Sequence, residues 1–564
     1  MNETENRFPK PSAQLLVKVF EEFGVRDVVL SPGTRNAPLL LAFSGSATIR
    51  CHTVIDERTA AFFALGIASC SRRPVGLICT SGSAMLNYAP ALSEAYYRNI
   101  PLIAVSADRP KEWIDQSDNQ TIRQARALDA VMKSSVEIPD FSADDTKESR
   151  YASRLLCDIL SVGMTAPKGP VHINMPFDLP LGLDYPLLQD SPFPRVLSDL
   201  PSISTEKIKN LVRDNIEKNI LVVCGFMSAD NRLNKAFHRL STVPGVVVVA
   251  EPLANLHADT VITNVDATIA ELPEKAVPDL VIVCGGSLVS DKMKHYLRSL
   301  KTSLQWYVGL YDGIMQDTFR RLSLTIDSSP ETFFPAFASL LLRYRKDKSK
   351  SAYNAIWKEA SERGKENYER FIQSAPWTEI KAVSLILKKT PKDFNVHLSN
   401  GTAVRYDMLH ASNRQHELVC NRGVSGIEGS TSTAIGAASC YGGPTLLISG
   451  DMSFSYDIGA LALKGIPDNF KAIVLSNDGG GIFRAIDKTA SLPNREEIFC
   501  QAPRLPLEAL AKAYDFGYTT VDSEEALSRC LKSFFENNSS PQIMELKFDA
   551  ELSAKCYIDY KSTL

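Results

Sequence analysis

Short runs of consecutive apolar residues, each closing on glycine, serine, aspartate or asparagine and each followed by a stretch of helical periodicity, recur along the chain. They fall at Val28-Val29-Leu30-Ser31-Pro32-Gly33, Val75-Gly76-Leu77-Ile78-Cys79-Thr80-Ser81-Gly82 and Leu102-Ile103-Ala104-Val105-Ser106-Ala107-Asp108. A second group is Ile220-Leu221-Val222-Val223-Cys224-Gly225, residues 245–251, and Leu280-Val281-Ile282-Val283-Cys284-Gly285-Gly286. A third is Val396-His397-Leu398-Ser399-Asn400-Gly401, Leu446-Leu447-Ile448-Ser449-Gly450-Asp451 and Ala472-Ile473-Val474-Leu475-Ser476-Asn477. Continuous rather than alternating apolarity marks strands buried on both faces, hence parallel sheets covered by helices. The three groups predict an α/β protein of three doubly wound parallel-sheet domains, at about 1–187, 200–345 and 375–564. The first boundary is the Pro- and Ser-rich stretch from Ser191-Pro192-Phe193-Pro194 to Pro201-Ser202, and the second follows the charged residues 343–350. Ligands of such sheets bind beyond the carboxyl ends of the strands, where the polar and glycine residues of these runs stand.

Length agrees with that division, since 564 residues at ~150 per domain give roughly three to four domains. Charge narrows the partners. Lys and Arg number 62 against 65 Asp and Glu, a net charge of -3, and no basic stripe of the kind that tracks nucleic acid is present. The nearest candidate, Arg343-Tyr344-Arg345-Lys346-Asp347-Lys348 with Lys350, reads as a solvated face. No run approaches the ~18–20 apolar residues of a membrane span, and Met1-Asn2-Glu3-Thr4-Glu5-Asn6 has neither the basic nor the apolar segment of a secretory signal. The 11 cysteines include no CxxC pair and several sit inside strand-like runs, as expected of reduced, buried thiols in a cytoplasmic protein. The GxGxxG, GxxxxGK[ST], GxSxG and HExxH signatures are missing, so dinucleotide oxidoreductases, P-loop NTPases, α/β-hydrolases and zincins lack their key residues.

Candidate chemistry is densest in the third group. Gly450-Asp451-Met452 ends one predicted strand and Asn477-Asp478-Gly479-Gly480-Gly481 ends the next, so Asp451 and Asn477 emerge at one sheet edge. A carboxylate, an amide oxygen and an exposed backbone carbonyl are hard donors that suit Mg²⁺, which takes its remaining ligands from phosphate and water. The glycines allow close approach of a diphosphate. The same residues also suit two ordinary strand-end turns.

This pairing resembles the metal and diphosphate signature of the thiamine diphosphate-dependent decarboxylases and carboligases, whose fold has pyrimidine-binding, central and diphosphate-binding domains. Met452 stands where most members have glycine. That feature, with Asn477-Asp478-Gly479-Gly480-Gly481-Ile482-Phe483, is similar to the 2-succinyl-5-enolpyruvyl-6-hydroxy-3-cyclohexene-1-carboxylate synthases of menaquinone biosynthesis. So are Ser31-Pro32-Gly33-Thr34-Arg35-Asn36-Ala37-Pro38, Ile55-Asp56-Glu57-Arg58-Thr59, Ala107-Asp108-Arg109-Pro110 and Asn119-Gln120-Thr121-Ile122.

The resemblance implies a transferase that uses thiamine diphosphate and Mg²⁺, with Mn²⁺ as an alternative. It would decarboxylate 2-oxoglutarate and add the resulting succinyl carbanion equivalent conjugately to isochorismate, as a homodimer or homotetramer. It implies Glu57 as the catalytic carboxylate on the aminopyrimidine, Asp451, Asn477 and the Gly479 carbonyl as metal ligands, and Ser425 and Ile427 as cofactor contacts. For substrate it implies Thr34, Arg35, Arg109, Asn119, Gln120, Lys292 and Arg405, with Ile482, Phe483 and Ile486 as an apolar wall. Arginine forks bind carboxylates bidentately, which fits polyanionic substrates. Taken singly, each has a plainer reading: Glu57 as a helix-start acid, any one arginine as a surface ion pair, Ile427, Ile482, Phe483 and Ile486 as packing, Lys292 as a solvated helix-start lysine. Gly401 stands where many members have serine. The alternatives are another 2-oxoacid carboligase or decarboxylase of the superfamily, where a flavin spectrum would mark the acetohydroxyacid synthase type, and a non-catalytic homologue.

Overall fold

The apolar runs form strands, and all of these strands lie in parallel sheets. The structure is a computed structural model that describes residues 7–189, 192–301, 303–345, 351–410, 416–501 and 504–564. The first sheet contains β1 (Asp27–Leu30), β2 (Arg50–Thr53), β3 (Val75–Cys79), β4 (Leu102–Asp108), β5 (Ser134–Glu137) and β6 (Val171–Pro176), ordered β2-β1-β3-β4-β6-β5. The second contains β7 (Ile220–Cys224), β8 (Val246–Ala250), β9 (Leu280–Cys284), β10 (Leu304–Gly309) and β11 (Leu322–Asp327), ordered β11-β10-β9-β7-β8. The third contains β12 (Asn395–Leu398), β13 (Leu418–Cys420), β14 (Thr445–Gly450), β15 (Phe470–Ser476), β16 (Gly517–Val521) and β17 (Gln542–Lys547), ordered β13-β12-β14-β15-β17-β16. Every one of these pairings is parallel. β1, β3, β4, β7, β8 and β9 are buried at every position, as continuous apolarity requires.

Numbered from its own first strand, the third sheet has the same order as the first. Both wind outward and then reverse, between β1 and β3 in one and between β12 and β14 in the other. At such a reversal the crossover segments diverge and open a crevice at the carboxyl edge.

The chain divides into two compact units, Met1–Ser198 with Gly423–Gly442 and Tyr456–Pro467, and Asp199–Arg422 with Gly443–Ser455 and Asp468–Leu564. In the first unit, helix Glu57–Ser71, which follows β2, packs on helix Ser430–Tyr441, which follows β13. A Cβ on Gly66 would lie 2.1 Å from the Thr433 carbonyl oxygen, and one on Gly436 2.1 Å from that of Phe63, so the two backbones touch reciprocally. The buried Asp457 carboxylate holds the start of helix Ser430–Tyr441, accepting from the Ser432 N–H at 2.6 Å and the Ser432 hydroxyl at 2.7 Å. Burial pushes its pKa up to about 6 against these hydrogen bonds.

In the second unit, Arg345 departs from its reading as part of a solvated face. It is buried and donates to the carbonyls of Pro244, Asn215 and Lys218, tying the 215–218 turn to the segment before β8. The opening hexapeptide, Ser191 and the rest of the charged stretch, residues 346–350, lie outside the described residues. Among the described residues no helix is long and apolar enough to cross a membrane. All the cysteines are free thiols.

Candidate active site

In the first unit two of the four basic candidates, Arg35 and Arg109, stand past the ends of β1 and β4. Asn36, fully buried, donates to the Ser31 carbonyl and accepts from the Gly33 N–H, both at 2.9 Å, and so ties the 31–36 loop to the end of β1. Thr34 stands exposed on that loop, and Arg35, half-buried, donates to the Phe177 carbonyl at 2.7 Å. Arg109, just past β4, donates through Nε to the Asn119 carbonyl at 2.7 Å and pairs with Asp118 at 3.0 Å. Burial lowers the Arg35 pKa and the nearby positive charge of Arg109 lowers it further, opposed by Asp118, Asp178 and Asp108. Two guanidiniums sharing one desolvated corner form a natural site for an anion. Asn119 and Gln120 are exposed, with Gln120 at a φ of 57° and its amide on the Ser81 carbonyl at 3.1 Å.

Behind this loop lies a buried polar network that the sequence did not announce. Gln124 accepts from Gly82 N–H and donates to the Ala107 carbonyl and to Asn174, while Asn174 donates to Asp108 and Glu137. It anchors residues 109–124 to β4 and β6.

Glu57 opens helix Glu57–Ser71, behind the N-cap Asp56, which accepts from Thr59 N–H at 3.1 Å. Burial raises the Glu57 pKa, its own backbone N–H lowers it, and Asp56 raises it again. Ser425, at a φ of 63°, and Ile427, 37% exposed, lie on the loop that leads into helix Ser430–Tyr441. The buried carboxylate of Glu94, another residue no motif marked, accepts from the N–H groups of Gly423 and Val424, both at 2.8 Å, and holds the start of that loop.

In the second unit Asp451 follows β14 and Asn477 follows β15, neighbours in the sheet. The buried Asp451 carboxylate accepts from Met452 N–H at 2.7 Å and from the N–H groups of Asn477 and Gly479 at 3.0 Å each. Burial raises its pKa, and these three donors oppose the rise. Asp478, Gly479 and Gly480 have φ values of 58°, 75° and 63°, a left-handed run that turns successive N–H groups inward. The Met452 sulfur accepts from the Gly480 N–H at 2.9 Å, so the residue that replaces the usual glycine ties the two halves of the motif together.

Asn477 Nδ2 donates to Glu379 at 3.0 Å, and its Oδ1 is buried with no hydrogen-bond partner. Glu379, fully buried, also accepts from the Tyr406 hydroxyl at 2.9 Å, and burial pushes its pKa up to about 7. Arg484 donates to the Gly479 and Asn477 carbonyls and pairs with Glu496 at 2.6 Å. The Gly479 carbonyl predicted as a metal ligand thus already accepts one hydrogen bond, which leaves its second lone pair.

Among the described residues no three or more His, Cys, Asp or Glu side chains gather around a common point. The donor set at β14 and β15 is one carboxylate, one orphaned amide oxygen and one carbonyl. That fits a hard divalent cation completed by phosphate and water, and does not fit zinc.

Also in the second unit, Arg405 donates to the Gly401 carbonyl at 2.6 Å, and Gly401 has a φ of 101°. A side chain there would have open space but a strained backbone. Lys292, near the start of helix Asp291–Ser299, directs its ammonium to the backbone oxygen of the terminal Leu564, with Lys561 and Asp266 close by. Burial lowers its pKa. Ile482, Phe483 and Ile486 are half-buried along and just past helix Gly481–Ala485, with Phe483 against Phe499 at 5.6 Å between ring centroids.

Residues 12–127 match the family model described as the thiamine pyrophosphate enzyme, N-terminal TPP binding domain. The chain is 38% identical to the 2-succinyl-5-enolpyruvyl-6-hydroxy-3-cyclohexene-1-carboxylate synthase of Porphyromonas gingivalis, an alignment covering 98% of this chain and 97% of that one. The chain belongs to this synthase family. The synthase of Bacteroides fragilis is 32% identical over 97% of both chains, and that of Flavobacterium psychrophilum 36% identical over 93% of this chain and 94% of its own. In fold the chain is similar to benzoylformate decarboxylase from Polynucleobacter necessarius, with a TM-score of 0.72 at 15% identity over 96% of this chain and 99% of the other. The synthase family is thiamine diphosphate-dependent, and three parallel sheets are the architecture it shares with that decarboxylase.

Proposed function

We propose that this synthase decarboxylates 2-oxoglutarate and joins the remaining four-carbon unit to isochorismate, forming 2-succinyl-5-enolpyruvyl-6-hydroxy-3-cyclohexene-1-carboxylate with the help of thiamine diphosphate and Mg²⁺ or Mn²⁺. Bound thiamine diphosphate supplies a thiazolium ring that takes up the electron pair released as CO₂ departs. The carboxyl of Glu57, with its pKa raised by burial, is suited to hold and exchange a proton with an aminopyrimidine nitrogen. Asp451, the free Oδ1 of Asn477 and the Gly479 carbonyl hold the cation. Ser425 and Ile427 shape the bed of the cofactor.

The Arg35 and Arg109 pair, with Thr34, Asn119 and Gln120, orients the carboxylates of isochorismate. Arg405 and Lys292 serve substrate carboxylates in the second unit, and Ile482, Phe483 and Ile486 exclude water beside them. Fixing both anions in place makes the bond-forming step effectively intramolecular. The division of labour follows domains at 1–187, 200–345 and 375–564, in a homodimer or homotetramer working in the cytoplasm.

The observation that carries this reading is the orphaned, buried oxygen of Asn477 beside the Asp451 carboxylate, in a chain of this family. Incubation of purified protein with Mg²⁺, thiamine diphosphate, 2-oxoglutarate and isochorismate, followed by mass spectrometry, tests it. The expected product has the mass of both substrates less CO₂. Release of CO₂ without an adduct would discard isochorismate, and the absence of both would discard the reading.

A further inference from the structure

An asparagine serves as an oxygen ligand only when its amide faces one way round, because the two ends of the group have nearly the same shape and opposite chemistry. Nothing in Asp451 or the 478–480 turn distinguishes those two orientations of Asn477. The distinction comes from Glu379, the first residue of helix Glu379–Lys389. We propose that Glu379 is a positioning residue that pins Asn477 with Nδ2 turned inward and Oδ1 turned to the cation. The proposal rests on the metal-site reading given above.

Glu379 has 1% of its surface exposed and spends its two oxygens on different donors, one on Asn477 Nδ2 at 3.0 Å and the other on the Tyr406 hydroxyl at 2.9 Å. The Tyr406 bond keeps the carboxylate from rotating away, and Tyr406 is itself buried. Both Glu379 oxygens stand as acceptors, one from the Tyr406 hydroxyl and one from Asn477, so the amide end that meets it is the NH₂. Turning the amide over would set two buried oxygens against each other about 3 Å apart, at a cost of a lost hydrogen bond and a new repulsion. The backbone also bounds the NH₂: a Cβ on Gly481 would lie 2.4 Å from Asn477 Nδ2, so only glycine leaves room for the NH₂ where it stands. With Nδ2 committed, Oδ1 is left buried and unpaired. The hydrogen bonds of the Glu379 carboxyl go to Asn477 and Tyr406, and to neither Asp451 nor Gly479. Its part is that of an outer partner that orients a ligand, and loss of such partners typically costs ~10–100-fold in metal affinity.

The test is Mn²⁺ binding, followed by electron paramagnetic resonance in the presence of thiamine diphosphate, on the full chain. Wild type and D451A set the scale. E379L, which removes the acceptor, should bind Mn²⁺ ~10–100-fold more weakly with an unchanged far-ultraviolet circular dichroism spectrum. N477D, which brings two carboxylates face to face, should also bind weakly. Exchanging acid and amide in E379Q/N477D restores a donor facing an acceptor and should recover most of the affinity lost in N477D. Recovery in the exchanged pair supports the proposal even if E379L does not fold. Wild-type affinity in a folded E379L, or an exchanged pair no better than N477D, overturns it. Equal Mn²⁺ binding by wild type and D451A would instead overturn the metal-site reading on which the proposal rests, and the proposal with it.

Discussion

Glu57 is half-buried at the head of its helix, and burial acts on its carboxyl in the direction proton exchange needs. Replacing it with glutamine keeps the shape and removes the exchangeable proton. Glu57→Gln should therefore retain wild-type circular dichroism and thermal midpoint while product formation falls by ~10²–10⁴-fold, read by mass spectrometry of the reaction. A different group contributes to the response to acid. His172, the second residue of β6 and 1% exposed, bonds to the Ser106 hydroxyl at 2.7 Å, and burial pulls its pKa down to about 4 from 6.5. As pH falls through that interval the unfolded chain takes up the proton first, so the His172 contribution to stability is full above 6.5 and drains away toward 4, by about 3 kcal/mol. Denaturation midpoints measured across this interval should slope less in His172→Gln than in wild type. At this scale the site was partly legible. Asp451, Asn477 and Glu57 stand in motifs, each at the end of a strand or the start of a helix. Glu379 and Glu94 gave no signal, because each acquires its role only from a partner far away in sequence, Asn477 for the one and the Gly423 and Val424 N–H groups for the other.

The pairing of helices Glu57–Ser71 and Ser430–Tyr441 leaves no space for even a methyl group at Gly66 or Gly436. Gly436→Ala should lower the thermal midpoint by an amount equivalent to 1–3 kcal/mol or more, the usual range for overpacking, and Gly66→Ala should do the same. Combined, the two should cost less than their sum, since the first already opens the crossing that the second would strain. Differential scanning fluorimetry of the three variants checks both statements. The elements themselves were readable where burial is two-sided, as in β1, β3, β4, β7, β8, β9, β14 and β15. Edge strands such as β2 (Arg50–Thr53) and β5 (Ser134–Glu137) carry polar residues because one side of their backbone has no neighbour, so they left no apolar run. β6 was hidden for another reason. It is internal, but His172 and Asn174 break its apolarity to build the polar network behind the 109–124 loop.

For the whole molecule, ligand binding and stability are linked. A cofactor and cation that bind only the folded chain should stabilise it by about 2.7 kcal/mol at a hundredfold excess over Kd. Thiamine diphosphate with Mg²⁺ should raise the thermal midpoint of wild type, and Asp451→Ala should lose the Mg²⁺-dependent part of that rise. The three-sheet architecture was evident from the grouping of apolar runs. The identity of strand order between the first and third sheets was not, since order depends on which strands pair, and pairing leaves no mark in a run of Val, Leu and Ile.

The helix crossing also bears on how the chain is made. During synthesis the first sheet and helix Glu57–Ser71 leave the ribosome early, whereas the helix that covers them arrives only after most of the chain has been translated. Throughout that interval the glycine-notched face around Phe62, Phe63 and Gly66 has no cover, although in the finished protein Phe62 packs under Gly429 and Gly66 under Thr433. Chains cut short before Gly423 carry that bare face permanently. They are the fragments on which chaperones and aggregation compete.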